Sequence, residues 1–221
     1  MRVVIAGGHG QIAMRLEKLL TGRGDEAVGL IRNPAQTGDL EALGARAVVC
    51  DLESAAAGDL ADHLRGADAV VFAAGAGPGS GAARKETVDR AAAVLLADAA
   101  RIAGVRRYLL VSSMGLERAG AAGLDPQFDA YLRAKAAAEE ELRLRPLDWT
   151  ILRPGALTDD PGTGRIRLGP PPAPWGSVPR DDVARTLLAL LDTPATAAGT
   201  FELTSGDDPV EAAVGRLVTG G

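Results

Sequence analysis

An apolar run, Val3 to Ala6, breaks at Gly7-Gly8-His9-Gly10 and passes at once into the helical pattern of Gln11 to Leu20. Strand, sharp turn and helix follow one another with no spare residue, which leaves few folds open. Gly7 allows the exit from the strand. Gly10 carries no Cβ, so a pyrophosphate can approach the backbone where the N–H groups of the next helix point. Ala13 stands where a third glycine often stands and is small enough for close helix–strand packing. The turn, with His9, Gln11 and Ile12, is a candidate dinucleotide site, and a purely structural glycine turn is the competing reading.

The second apolar run, Ala27 to Ile31, bears on which dinucleotide. In NAD sites an acidic residue commonly closes this strand and accepts from the ribose 2′-hydroxyl. Here Arg32-Asn33-Pro34 follows, and a guanidinium can grip a 2′-phosphate as a fork. Asp25 and Glu26 precede the strand, at its wrong end for the ribose. NADP(H) is therefore expected in preference to NAD(H), against the alternative of a solvated arginine.

Composition narrows the partners. The 221 residues carry a formal net charge of −5 and no run of Lys/Arg, which argues against nucleic acid or an anionic membrane. No apolar stretch reaches membrane-spanning length, and the first residues already read as a strand, so no signal peptide is expected. Cys50 is the only cysteine, which excludes an internal disulfide and fits a reducing, cytoplasmic home. With two histidines, His9 and His63, no metal site is expected.

Apolar strands alternate with alanine-rich helical segments, the pattern of a parallel sheet with helices on both faces. Strands are expected at 2–6, 27–31, 46–50, 69–74, 107–112 and 148–152, with a short one at 200–203. Helices are expected near 11–22, 36–43, 82–103, 128–144 and 180–192. Gly22, Gly44, Gly66 and Gly104 fall where left-handed helix caps belong. Residues 159–174 are rich in Gly and Pro and read either as a substrate-covering loop or as an irregular connection. One domain over 1–221 is expected, with substrate-side loops mainly at 114–130 and 155–180. Alanine-rich faces at 82–103 and 128–144 suit either the sheet or a second subunit, which leaves oligomeric state open.

Ligands of an open parallel sheet bind beyond the carboxyl ends of its strands. Asp51 and Leu52, after the third strand, can meet the adenine, the carboxylate accepting from the exocyclic amine; a helix-capping role competes. The fourth strand runs through Ala73 and Ala74 into Gly75, small residues against which a nicotinamide ribose can lie. Tyr131 and Lys135 stand four apart, on one face of an expected helix. The chain holds two tyrosines and three lysines, so this spacing is rare by chance. An ammonium beside a phenol favours the phenolate, so the tyrosine can move a proton to or from a substrate oxygen. Ser112 and Ser113 end the fifth strand and can hold that oxygen. A packed tyrosine with a solvated lysine is the plainer alternative.

Taken in order, the glycine turn, Arg32, Asp51-Leu52, Val111-Ser112-Ser113, Tyr131-x-x-x-Lys135 and Leu152-Arg153-Pro154-Gly155 resemble the short-chain dehydrogenase/reductase superfamily. The chain is most similar to its atypical, NmrA-like branch, related to NAD-dependent epimerases/dehydratases. Asp148 to Gly155, Leu157 to Asp159, Gly162 to Gly164 and Val178 to Ala184 resemble that branch after the sixth strand. The resemblance implies a Rossmann-type, doubly wound α/β sheet with a small C-terminal substrate-side region. It also implies that Gly7, Gly10 and the backbone from His9 to Ile12 hold the pyrophosphate. Arg32 would take the 2′-phosphate, Asp51 and Leu52 the adenine, and Ala73 to Gly75 the nicotinamide ribose. Lys135 would bond that ribose and bias Tyr131, with Pro154 and Gly155 near the carboxamide. Ser113 is the better match to the catalytic serine, with Ser112 beside it.

Departures restrict the activity. His9 replaces a frequent threonine or serine, and the stretch from Ser113 to Tyr131 is longer than in the family's classical branch. The chain is about a hundred residues shorter than the epimerase-like members, whose sugar-nucleotide site lies in the missing extension, so such an epimerase is not expected. Trp149 and Trp175 are candidates to wall a small pocket, Trp149 more as core. Two functions remain. One is an NADP-dependent oxidoreductase acting on a small carbonyl or other electrophile, with Tyr131 as general acid. The other is a non-catalytic NADP(H)-binding redox sensor.

Overall fold

The structure is a computed structural model and describes residues 1–77 and 79–219. Strand β1 (Arg2–Ala6) leads through the glycine turn into α1 (Gln11–Gly22), then β2 (Glu26–Ile31), α2 (Thr37–Ala42) and β3 (Arg46–Val49). After α3 (Ala57–Leu64) and β4 (Ala69–Phe72) comes one long composite helix: α4 (Gly81–Arg84), a π-helical stretch (Lys85–Ala91) and α5 (Ala92–Ala103). Then follow β5 (Arg107–Val111), α6 (Pro126–Arg143), β6 (Asp148–Pro154), β7 (Ala156–Thr158), β8 (Arg165–Gly169) and β9 (Ser177–Pro179). Helix α7 (Arg180–Leu191), β10 (Gly199–Ser205), β11 (Asp208–Pro209) and α8 (Val210–Thr219) close the chain.

The main sheet runs β11-β8-β10-β6-β5-β4-β1-β2-β3. From β3 to β10 all neighbours are parallel, and only β8 and β11 add antiparallel pairs. The order 3-2-1-4-5-6 reverses between β1 and β4, which opens a crevice over their carboxyl ends. Alternation along each strand divides the core into two layers. Val3 and Ile5 join Leu16, Leu20 and Leu187 on one face; Val4 and Ala6 join Leu60, Leu96 and Leu142 on the other. The alanines of α5 and α6 (Ala93, Ala97, Ala100, Ala138) are buried against this second face.

The expected strands and the five expected helices are present, several ends shifted by a few residues. Gly22 is not a left-handed cap: it is the last residue of α1, and Gly24 takes the positive φ of +87° beyond it. Helices α3 and α8 were not expected, and part of the Gly/Pro-rich stretch is strand. In β8, Ile166 is fully buried and Arg165 and Arg167 face outward, an alternation masked by flanking Gly164 and Pro170. Asp182, buried at the start of α7, accepts from the N–H groups of Thr163 (2.9 Å) and Gly164 (2.8 Å) and so fixes the entry to β8. Within the described residues no helix is long and apolar enough to cross a membrane, and no cluster of His, Cys, Asp and Glu is suited to a metal ion.

One buried carboxyl breaks the apolar pattern of α1. Glu17 has no exposed surface, and neither of its side-chain oxygens has a hydrogen-bond partner among the described residues. It fills the space beside Gly8 and Gly29, where a Cβ on Gly29 would meet Glu17 Oε1 at 2.5 Å. Burial pushes its carboxyl up to about 8. The folded protein then keeps a proton that the unfolded chain gives up above its ordinary value of 4.5. Stability therefore falls as pH rises through that window and levels off beyond it. Urea midpoints measured from about pH 5 to pH 9 should show this fall in the wild type and a flatter profile in Glu17→Gln. An unchanged slope in the variant would assign the dependence elsewhere.

Candidate active site

The glycine turn is tight because two backbones touch it. Gly7 has φ +79°, and a Cβ there would come within 2.6 Å of the Ala74 backbone at the end of β4. A Cβ on Gly8 would lie 2.7 Å from Gly29 Cα in β2. Gly10 caps α1 in an extended conformation (φ −71°, ψ 150°) with no side chain on the helix N–H groups and no acid in the first turn. A Cβ at Gly10 would stand 3.0 Å from Gly7 O and 3.6 Å from Ala73 O, filling the approach to those donors. This cradle suits an anion, and the residues fit a dinucleotide pyrophosphate. His9 does not lie over α1: its Nε2 stands 2.8 Å from Asp39 Oδ2 of α2.

Two adjoining cavities share Gly10 and Ala73 to Gly75. The first, about 370 Å³, receives Arg32, Asn33, Asp51, Leu52, Glu53 and Arg84 from the ends of β2 and β3 and from α4. Asp51 Oδ1 accepts from Glu53 N (3.1 Å), a local turn, and α3 begins without a side-chain cap. Glu53 collects Arg32 (3.0 Å) and Arg84 (2.9 Å) on one carboxylate oxygen and Thr87 (2.7 Å) on the other. The Thr87 hydrogen bond, with the two guanidiniums, holds the Glu53 carboxyl below its ordinary range.

The second cavity, about 610 Å³, holds the pair expected to do chemistry. Asp125 caps α6 by accepting from Gln127 N and Phe128 N, and Pro126 opens its first turn. One turn further, Phe128 stacks on Tyr131 with centroids 6.1 Å apart. Lys135 is buried; its Nζ donates to Val111 O (3.1 Å), lies 3.3 Å from Asp89 Oδ1 and stands 5.9 Å from the Tyr131 ring centroid. The Tyr131 hydroxyl has no hydrogen-bond partner among the described residues. Gln11 and Ile12 line the same space.

At the end of β5 the pleat sends neighbouring side chains to opposite faces, so one serine reaches the cavity and the other does not. Ser112 lines it and donates to Glu139 Oε1 (2.6 Å), whose carboxylate also takes both arms of Arg153 (2.8 and 2.6 Å) and Arg143 (2.8 Å). Ser113, the better match by sequence, lines neither cavity and donates to Met114 O (3.1 Å). Pro154 and Gly155 also line neither; a Cβ on Gly155 would collide with Gly176 O, so its glycine serves strand packing. Trp149 packs against the core, and Trp175 is exposed beside Gly115. The Pro-rich 170–174 segment is tied by Ala173 N to Glu202 (2.6 Å).

Sequence reading missed Lys85, Asp89, Glu53, Arg84 and Glu139. The first pair carried a signal, Lys85 and Asp89 at i, i+4 in an alanine-rich helix. The carboxylates carried none apart from their partners.

Comparison with known proteins matches this architecture. Residues 7–194 fit the model of the NAD(P)H-binding family. The Bacillus subtilis protein YhfK, named an uncharacterised sugar epimerase, is 35% identical over 218 residues, covering 98% of this chain and 100% of that one. A Bacillus halodurans structure named for NAD-dependent epimerases/dehydratases superposes with a TM-score of 0.90 at 35% identity, covering 98% and 100% of the two chains. The oxidoreductase ylbE of Lactococcus lactis gives 0.85 at 27% identity over 99% and 97%. The chain thus belongs to the NAD(P)H-binding family and is related to the NAD-dependent epimerase/dehydratase-like oxidoreductases of the atypical short-chain dehydrogenase/reductase group.

Proposed function

We propose that the protein is an NADP-dependent oxidoreductase that reduces a small carbonyl or a comparable electrophile. The observation that carries this reading is Tyr131: a phenol whose hydroxyl has no hydrogen-bond partner among the described residues, in a cavity continuous with the glycine cradle, flanked by two ammonium groups. The backbone from Gly10 to Ile12 would hold the pyrophosphate, Asp51 and Leu52 the adenosine, and Ala73 to Gly75 the nicotinamide ribose. Lys135 would bond a ribose hydroxyl with an N–H it does not donate to Val111 O.

A reduced nicotinamide held there would supply the hydride for the carbonyl carbon. Tyr131 gives its proton to the carbonyl oxygen as charge develops there, and solvent returns the proton to the phenolate. Lys135 and Lys85 stabilise that phenolate by charge. The Ser112 hydroxyl donates its hydrogen bond to Glu139, so it presents lone pairs to the cavity and orients a donor. Tyr131→Phe should lower turnover about 100- to 10,000-fold while leaving the Kd for NADPH within about twofold. Undiminished turnover would remove Tyr131 from the chemistry.

One observation favours the alternative, cofactor binding without turnover. Both serine hydroxyls at the end of β5 donate to protein acceptors, so neither offers a proton to a substrate. Tight NADPH binding with no oxidation across a carbonyl panel would support that reading.

Preference for NADP rests on Arg32 and Arg84, which converge on the rim of the first cavity. Glu53 holds both there, and a 2′-phosphate would compete with it for the two forks. Calorimetric titration should show NADPH binding tens of times tighter than NADH. Arg32→Ala should remove about tenfold or more of that advantage and leave NADH binding nearly unchanged. Equal affinities in the wild type would overturn the preference and leave the family assignment untouched.

A further inference from the structure

One cation of the second cavity has no ion-pair partner among the described residues. Asp89 pairs with Lys135 (3.3 Å), Arg180 pairs with Asp159 (2.9 Å), and Asp125 is engaged by the first N–H groups of α6. Lys85 remains. It is 7% exposed, yet among the described residues no carboxylate lies within ion-pair distance of its ammonium. Nζ donates to Gly77 O (2.7 Å) and sits 5.3 Å from the Tyr131 ring centroid, closer than Lys135. A carbonyl oxygen and an aromatic face offset only part of the cost of burying an ammonium. An anion entering the cavity would supply the rest.

Position narrows what that anion is. The ammonium stands beside the ring of the proton donor, so a group bound to Lys85 is a close neighbour of a carbonyl presented to Tyr131. The hydroxyl of the serine that faces the cavity already donates its hydrogen bond to Glu139. Lys85, whose ammonium donates among the described residues only to Gly77 O, is thus a donor to the substrate in its place.

Building on the oxidoreductase reading, we propose that Lys85 determines specificity by binding the carboxylate of a short oxo acid whose carbonyl faces Tyr131. The cofactor pyrophosphate is the other anion that enters this cleft, and the experiment separates the two sources.

Calorimetry with oxamate, an unreactive carboxylate probe, on the protein saturated with NADPH tests the contact without turnover. Oxamate should bind the wild type, lose about 10- to 100-fold in Lys85→Met and recover most of it in Lys85→Arg. NADPH affinity should stay within about twofold in both variants, which also reports that they are folded. In the wild type, kcat/KM for pyruvate should exceed that for methyl pyruvate, mainly through KM. The rise in KM on esterification and the rise in KM in Lys85→Met should not add, because both remove the same carboxylate contact.

Equal binding of oxamate and its ethyl ester would overturn the proposal, as would a Lys85→Met variant that binds oxamate normally. A matching loss of NADPH affinity would assign the ammonium to the cofactor and overturn it as well. Oxamate binding through Lys85 with no turnover of any carbonyl would support the anion site and refute the oxidoreductase reading.

Discussion

The architecture depends on the contact of glycine backbone with its neighbours at the head of α1. Gly7 lies against Ala74 and Gly8 against Gly29, so three strands and one helix start meet through backbone, with only the Ala74 methyl and the Glu17 carboxyl beside them. A methyl at either position would hold the strands apart. The free N–H groups of α1 are thereby placed over the point where the strand order reverses, open to a charged ligand. Glu17 belongs to the same constraint. It occupies the space that the small residues leave behind the turn, at the cost of two carboxyl oxygens without partners among the described residues.

The crevice has two electrostatic halves. Around the first cavity the arginines are exposed and gathered on Glu53, an arrangement that exchanges readily with an incoming anion. Around the second, Lys85, Asp89 and Lys135 are buried and held in place. The π-helical stretch Lys85–Ala91 widens the long helix where it passes the cavity, and it turns Lys85, Val88 and Asp89 inward together. Such widened turns recur at functional sites, since they re-aim side chains without breaking the helix. Asp89 then meets Lys135, and Lys85 meets the ring of Tyr131.

A buried network behind the cavity connects the substrate side to the rest of the sheet. Glu139 joins Ser112 of the β5 end, Arg143 of its own helix and Arg153 of β6. Arg153 Nη1 reaches toward Glu202 of β10 (3.8 Å), which in turn accepts from Ala173 N. The Pro-rich segment and the serine are therefore coupled through charged groups rather than through contact. This network also accounts for the cost of an arginine within a central strand: its charge is paired at once on both sides.

Local pattern was enough for the sheet and for the first half of the site. Apolar runs such as Val3 to Ala6 and Ala69 to Phe72 show their strands because both faces are buried. Tyr131 and Lys135 share a helix face by spacing alone. Helices α3 and α8 are short, and β8 lies between Gly164 and Pro170, so tertiary packing rather than propensity settles them. The same limit applied to the two serines: adjacent in sequence, they differ only in which side of the pleat faces the cavity. The sequence by itself determined the parallel α/β sheet, the glycine cradle and the tyrosine–lysine face, because each is set by residues within a turn or two of one another. Only the tertiary structure decided that Ser112 is the inward serine, that Glu53 holds both arginines and that Lys85 stands beside Tyr131. Those facts depend on distant segments meeting, and no local period records the meeting.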